Sequence, residues 1–293
     1  MRSRLLGLTA TMMALGVGVG STHAAETEAG GKLLLTGGVS ALEGGAGGGL
    51  STWALISGNE TSRGVGGGVH ATYVNVPDYE LRSVGAAVGL FDRVELSIAR
   101  QEFDTGATGA KLGLGKGFTF KQDIAGVKVR LIGDAVYDQD TWLPQIAVGA
   151  QIKQNNQNAI IHAVGGKDDS GIDYYAAATK LLLDKSLVLN GTVRLTKANQ
   201  TGLLGFGGDK HDSYGAQFEG SAGYVVSKRL LVGAEYRTKP DNLGFAKEND
   251  WVDVFVAYAF NKTLSVTAAY ADLGTIATFK GQHGLYISLQ AGF

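Results

Sequence analysis

Residues 285–293 of the chain read LYISLQAGF. Apolar side chains stand at every second position, with Leu285, Ile287 and Leu289 on one face and Phe293 at the end of that face. Successive side chains of a β-strand point to opposite sides, so this period of two predicts a strand with one apolar face. The fold must therefore offer an apolar environment on one side of the strand.

The same alternation recurs upstream, and several of the alternating segments reach the ~9–11 residues that a strand needs to cross a bilayer. The clearest segments are residues 84–90, 94–98, 127–131, 145–153, 187–196, 216–226, 230–237, 252–260 and 264–270. Short turns lie at residues 91–93, 184–185, 227–228 and 261–262, and long loops at 104–118, 155–170, 199–212 and 240–249. Outer-membrane barrels alternate in this way between short periplasmic turns and longer outer loops.

Aromatic residues concentrate near the ends of the predicted strands. The candidates for two interfacial girdles are Tyr214, Tyr224, Tyr236, Trp251, Tyr258, Phe260, Tyr270 and Phe293. Alternation alone also fits a soluble sandwich, but strand length, loop lengths and these girdles together favour a membrane protein. The predicted fold is all-β, a transmembrane antiparallel up-and-down β-barrel of 12–14 strands.

The chain begins with the pattern of an export signal. Arg2 and Arg4 precede an apolar run, and small residues follow at the end of it. These features predict a cleaved signal peptide over residues 1–25, with the cut after Ala24 or Ala25. The expected location of the mature protein is the outer membrane of a Gram-negative cell.

The remainder divides into a glycine-rich segment, residues 26–63, and the barrel itself, residues 64–293. The glycine-rich segment has two interpretations. It supplies two further strands, at about residues 32–42 and 48–56, which would make fourteen. Alternatively, it is a plug, lumenal or periplasmic, beside a barrel of twelve strands.

Composition excludes several classes of protein. The 293 residues include 45 glycines, about twice the ~7% that is usual, yet 44% are hydrophobic, which argues against disorder. The formal net charge of −1 offers no basic surface for nucleic acid. The absence of cysteine from the sequence excludes disulfides, thiolate catalysis and cysteine-ligated metals.

Charged residues at polar positions of the predicted strands form the strongest candidate site. They are the predicted lumen-lining residues Glu95, Lys128, Arg130, Lys153, Arg194, Glu219, Glu235, Arg237 and Asp253. Charges of mixed sign on a lumenal face can line a path for solutes, or they can pair with each other and fill the lumen. A further loop, residues 196–208, is apolar enough to fold inward as a constriction or to contact a partner.

Other chemistry has little support in the sequence. The stretch Gly113-Leu114-Gly115-Lys116-Gly117 lacks the Ser or Thr that a phosphate-binding loop needs after its lysine. The histidines of the mature chain stand singly, and no G-x-S-x-G motif occurs, so we predict no metal, no cofactor and no enzymatic activity. A serine and a histidine distant in sequence could still meet in space.

Four stretches carry a resemblance to a known family. They are LFDRVELS (residues 90–97), GDAVYDQDTWLPQIAVGA (133–150), LNGTVRLTKANQTGLLGFGG (189–208) and AEYRTKPDNL (234–243). The chain resembles an uncharacterised family of proteobacterial outer-membrane proteins, a domain of unknown function. The resemblance covers nearly all of the mature chain and implies an outer-membrane barrel, without a known substrate or catalytic residue.

The terminal strand also resembles the C-terminal signal of bacterial outer-membrane barrels, and this implies recognition of Phe293 by the barrel-assembly machinery. The other expected partners are outer-membrane lipid, lipopolysaccharide and an unidentified small solute. We predict a porin-like channel for passive diffusion of small solutes. Two alternatives stay open: a transporter of apolar compounds with residues 26–63 as a hatch, and a structural or partner-binding barrel with a plugged lumen.

Overall fold

A computed structural model describes residues 32–36 and 39–293, so the predicted signal peptide lies outside the described residues. The described chain forms a closed barrel of twelve strands. The strands are β1 (Val65–Asn75), β2 (Glu80–Leu90), β3 (Val94–Asp104), β4 (Thr119–Ile132), β5 (Gln145–Asn155), β6 (Ser170–Leu182), β7 (Leu187–Thr196), β8 (Gly215–Ser227), β9 (Leu230–Arg237), β10 (Trp251–Ala259), β11 (Leu264–Asp272) and β12 (His283–Gly292). Two short helices, α1 (Thr108–Lys111) and α2 (Asn158–Ala163), and two 3₁₀ turns, Leu183–Lys185 and Asn199–Gly202, lie in the connections.

Each strand pairs antiparallel with its neighbours in sequence, and β1 closes the barrel against β12. In that closing pair Tyr73 lies opposite Ile287, and Gly68 lies opposite Gly292. The predicted up-and-down antiparallel barrel is therefore confirmed, with twelve strands. Residues 48–56, one of the two additional candidate strands, form no strand of the barrel.

The two faces of the wall differ as the alternation requires. Outward side chains are apolar and exposed, as with Val254 at 60% and Ile98 at 63%. Inward side chains at neighbouring positions are polar and buried, among them Gln101, Asp253 and Thr179. Apolar outside and polar inside is the pattern of a barrel whose outer surface meets lipid.

Seven of the predicted girdle aromatics, all except Trp251, lie exposed on the outside of the barrel. Trp251 was predicted wrongly. It occupies an inward position of β10 and is only 4% exposed. Its parity in the strand is that of Asp253, because the two residues are two positions apart, and the same alternation that turns Asp253 inward also turns Trp251 inward.

The two ends of the barrel differ in their connections. The long-loop end carries residues 105–118, 156–169, 197–214, 238–250 and 273–282, and the short-turn end carries tight turns such as residues 91–93 and 260–263. Two connections break this rule, since residues 133–144 form an extended loop at the short-turn end and residues 76–79 a tight connection at the long-loop end. In the described part of the chain, no helix is both long and apolar enough to cross a bilayer.

Candidate functional site

Residues 39–58, which we call the lumenal segment, lie inside the barrel. Nearly every one of these residues is buried, including Leu42, Glu43 and Trp53. The segment folds on itself through two isolated bridges, Ser40 with Ala46 and Gly47 with Thr52. Within the described residues, its backbone makes no backbone hydrogen bond to a wall strand. The segment is therefore a separate body that fills the lumen.

Both ends of the lumenal segment reach the same end of the barrel. Ahead of it, Lys32 pairs with Asp92 at 2.9 Å in the turn between β2 and β3. Behind it, the backbone N–H of Asn59 donates to the carbonyl of Phe293 at 3.0 Å. Since both contacts lie at the short-turn end, the segment enters and leaves the lumen from that side.

Glu43 is the central charge of the lumen, and three cations of the wall surround it. Its carboxylate lies 2.5 Å from Lys153 Nζ, 3.1 Å from Arg237 and 3.4 Å from Arg194. Asp173 and Glu219 complete the cluster, at 2.7 Å from Lys153 and 2.6 Å from Arg194 respectively. Burial alone would raise the pKa of Glu43, but Arg237, Lys153 and Arg194 together hold it well below its usual range.

Other wall charges bind the backbone of the lumenal segment instead of lining an open path. Glu235 accepts the N–H of Leu50 at 2.7 Å, and Glu219 accepts that of Thr52 at 2.7 Å. Glu95 accepts the N–H of Ser57 at 2.8 Å. Beside Glu95, at 3.0 Å, Lys128 donates to the carbonyl of Leu55 at 2.8 Å. Each of these contacts is a charge-assisted hydrogen bond in a buried setting. If the segment left the lumen and no water replaced it, these charged side chains of the wall would lose these hydrogen-bond partners.

Glycine allows this close approach at Gly48. A Cβ added there would lie 1.9 Å from Glu235 Oε1 and 2.7 Å from its carboxyl carbon. A side chain at this position would have to displace the carboxylate that binds Leu50. The glycines of this segment therefore let its backbone approach the charged wall, which the composition alone does not reveal.

All the predicted lumen-lining residues except Arg130 lie buried inside the barrel. Arg130 belongs to a second cluster at the short-turn end, where it binds Asp92 and lies 3.0 Å from Asp134. It is therefore separated from the central charges. Asp253 lies beside Glu235 in the register of β10 and β9, and its Oδ1 has no hydrogen-bond partner among the described residues.

Sequence reasoning missed Glu43 and Asp173. Asp173 precedes Tyr174, which lies exposed on the outside, so the period of two was a sufficient signal for an inward Asp173. Glu43 had no such signal, because it lies in a segment without regular structure. Its only mark in the sequence is that it is a single acid within a long run of small and apolar residues.

An apolar cavity of about 180 Å³ lies at the long-loop end. Val74, Leu81, Phe103 and Phe120 of the strand ends form part of its wall, with Trp251 opposite. The loop expected to fold inward does so: Leu203 and Leu204 are buried and line the same cavity. The cavity lies beside the polar lumen but is chemically distinct from it.

One serine and one histidine meet in the lumen. His70 Nε2 lies 3.4 Å from Ser83 Oγ, but the Ser83 hydroxyl donates to the carbonyl of Leu42 at 2.7 Å. His70 Nδ1 has no hydrogen-bond partner among the described residues, so no carboxylate orients the ring. This is not the nucleophile, base and acid arrangement of a hydrolase. Among the described residues no cluster of potential metal ligands occurs.

A family model described as "Protein of unknown function (DUF3034)" matches residues 36–290. The chain belongs to this family. The resemblance to an uncharacterised family, noted from four stretches of sequence, is thereby confirmed. Among curated proteins, none is significantly similar to this member of DUF3034 in sequence.

Solved structures with a similar fold include several outer-membrane barrels. The KdgM porin shares 10% identity over 77% of this chain and 96% of its own, with a TM-score of 0.47. The NanC porin shares 10% over 77% and 97%, with a TM-score of 0.45. The COG4313 outer membrane channel from Pseudomonas putida F1 shares 14% over 78% and 94%, with a TM-score of 0.42.

Proposed function

We propose that this protein is a porin-like outer-membrane channel that conducts small solutes when the lumenal segment leaves the barrel. The observation that carries the proposal is the way this segment is held. It fills the lumen, where Leu42, Leu50 and Trp53 belong to the buried apolar cluster of the barrel. Its polar contacts to the wall, centred on Glu43, are ion pairs and hydrogen bonds in which a wall side chain takes part. Such contacts can be replaced by water, whereas a strand in the wall could not leave without opening the barrel.

The topology of the segment supports a simple opening movement. Because both of its ends lie at the short-turn end, it can withdraw toward that side as a loop, without threading the chain through the barrel. Withdrawal would expose Lys128, Lys153, Arg194 and Arg237 together with the wall carboxylates to water. The mixed charges of the wall would then line the path and set its ion preference.

A cysteine pair tests this proposal directly, because the sequence has no cysteine of its own. Ser51 Oγ in the segment lies 2.5 Å from Ser221 Oγ in β8, close to the ~2.05 Å length of a disulfide. In planar bilayers, the double variant Ser51→Cys/Ser221→Cys should give no conductance steps when oxidised. Reduction should restore the steps of the wild type.

The two single-cysteine variants are the matched controls, and they should conduct equally with and without reductant. If mass spectrometry shows the disulfide and the oxidised double variant still conducts like the wild type, gating by the segment is refuted. If neither the wild type nor the reduced variant ever conducts, and vesicles containing them do not swell in small sugars, the barrel is permanently plugged and its role is structural or in partner binding.

A further inference from the structure

The apolar cavity at the long-loop end is built from strand ends and from several of the loops that connect them. Strands β1 to β4 and β10 contribute the inward side chains nearest to this end of the barrel. The loop with the turn Asn199–Gly202 closes the cavity with Leu203 and Leu204. Behind the closing loop, the carbonyls of Thr201 and Leu203 accept from Lys153 Nζ at 3.1 Å and from Asn155 at 2.9 Å. The loop therefore turns its polar backbone toward the lumen and its apolar side chains toward the cavity.

The polar side chains of the lining are already engaged. The Tyr79 hydroxyl donates to the carbonyl of Ile276 at 3.3 Å, and the Thr105 hydroxyl donates to that of Phe118 at 2.7 Å. Gln200 donates to the carbonyl of Thr275 at 3.2 Å and accepts from Lys239 at 3.1 Å. The indole Nε1 of Trp251 has no acceptor among the described residues, but it is buried and adds no exposed polar surface. Nearly all of the surface that a ligand contacts in this cavity is therefore aliphatic or aromatic.

Size and access restrict the ligand further. A cavity of about 150 Å³ that is lined by apolar side chains stays free of water and is large enough to bind benzene. The present cavity, of about 180 Å³, has room for one ring with a small substituent. Leu112 and Phe245 of the lining are each 37% exposed, so the lining reaches the surface at the long-loop end.

We propose that this cavity binds one small, uncharged, apolar compound of about the size of a single substituted aromatic ring. The inference goes beyond the proposed function, because the cavity is apolar whereas the lumen that the segment fills is lined by charges. Binding itself requires no conduction, because the cavity is formed while the lumenal segment fills the lumen.

Fluorine NMR of 4-fluorotoluene tests the proposal on the full chain in lipid nanodiscs, with empty nanodiscs of the same lipid as the blank. A saturable bound resonance is expected only with the protein. Val74→Phe fills the cavity from β1, and Val164→Phe fills it from the loop beside α2, where no strand is disturbed. Both variants should bind at least tenfold more weakly. The matched control is Val254→Phe, the same change on the lipid-facing side, which should bind like the wild type.

A second measurement tests the chemical class of the ligand. The charged isostere 4-fluorobenzoate should not bind, since no cation of the described residues lines the cavity and the single buried indole N–H of Trp251 does not offset the desolvation of a carboxylate. The proposal is overturned if 4-fluorotoluene shows no saturable binding, if both filled variants bind it undiminished, or if 4-fluorobenzoate binds equally well. Failure here would leave gating by the lumenal segment untouched, because the cysteine pair tests that movement by conductance alone.

Discussion

Replacing Glu43 by glutamine removes the charge on which the lumenal segment is anchored and keeps the size of the side chain. In the docked state the counter-charges that Lys153, Arg194 and Arg237 would then retain among the described residues are Asp173 and Glu219. Removing one partner of a buried ion pair costs about 3–5 kcal/mol. In the withdrawn state water solvates the same cations, so the cost falls on the docked state.

Since about 1.4 kcal/mol corresponds to a factor of ten, the ratio of withdrawn to docked protein should rise between about a hundredfold and a few thousandfold. Glu43→Gln should therefore raise the open probability of single channels in planar bilayers at neutral pH. A second readout is independent of conduction. In a Ser57→Cys background, where Ser57 is 2% exposed, the rate of maleimide labelling should rise by the same factor.

The matched control is Glu102→Gln, which removes a carboxylate that is 40% exposed and pairs with Lys121 at 2.9 Å. An exposed pair contributes only about 0–1 kcal/mol, so neither open probability nor labelling should change. The reasoning is refuted if Glu43→Gln folds into the barrel but leaves both readouts at the wild-type level. It is also refuted if Glu102→Gln produces the same increase.

Three further outcomes follow from the same contacts. The cations lower the pKa of Glu43, so its contribution to docking is complete above the usual glutamate pKa and is lost as the pH falls through the lowered value. Open probability should therefore rise in that acid range, and this rise should be smaller in Glu43→Gln, which lacks the titrating group. Gly48→Val places a side chain against Glu235 and should increase labelling at Ser57→Cys as Glu43→Gln does, whereas Gly191→Val, with open space around its Cβ position, should not. Val254→Arg puts a charge on the lipid face and should lower the free energy of unfolding by about 2–4 kcal/mol in urea titrations in vesicles, with Val254→Leu as the neutral control.

The wall of the barrel was predictable from the sequence because alternation is a local property. Each strand repeats a period of two, so the side of Lys128 or Arg237 follows from its neighbours without knowledge of the fold. Trp251 shows the limit of a second rule, since an aromatic at a strand end suggested a girdle although its parity was inward. Parity is the stronger signal, because it follows from backbone geometry, whereas aromatic enrichment is only a tendency.

The lumenal segment was not predictable in the same way. Its residues have no period, and their positions follow from partners that lie far away in sequence: Glu43 meets Arg237 across 194 residues, and Leu50 meets Glu235 across 185. The sequence left two interpretations of this region because glycine-rich stretches suit both a twisted strand and a compact plug. The contacts to the wall decide between them. Lys153, which already pairs with Asp173 of the wall, also binds Glu43 of the segment, and Glu235 binds the N–H of Leu50.

Lys153 connects the two features of the barrel. Its ammonium group lies 2.5 Å from Glu43 of the lumenal segment and donates at 3.1 Å to the carbonyl of Thr201, in the loop that closes the apolar cavity. A compound that displaces this loop therefore disturbs a cation on which the segment is anchored, and withdrawal of the segment removes a charge that holds Lys153 beneath the loop. In this loop the backbone φ angles of Gln200 and Thr201 are 45° and 58°. Both lie in the left-handed region, where residues other than glycine are strained. This turn lies between the apolar cavity, which Gln200 lines, and Lys153, which binds the carbonyl of Thr201.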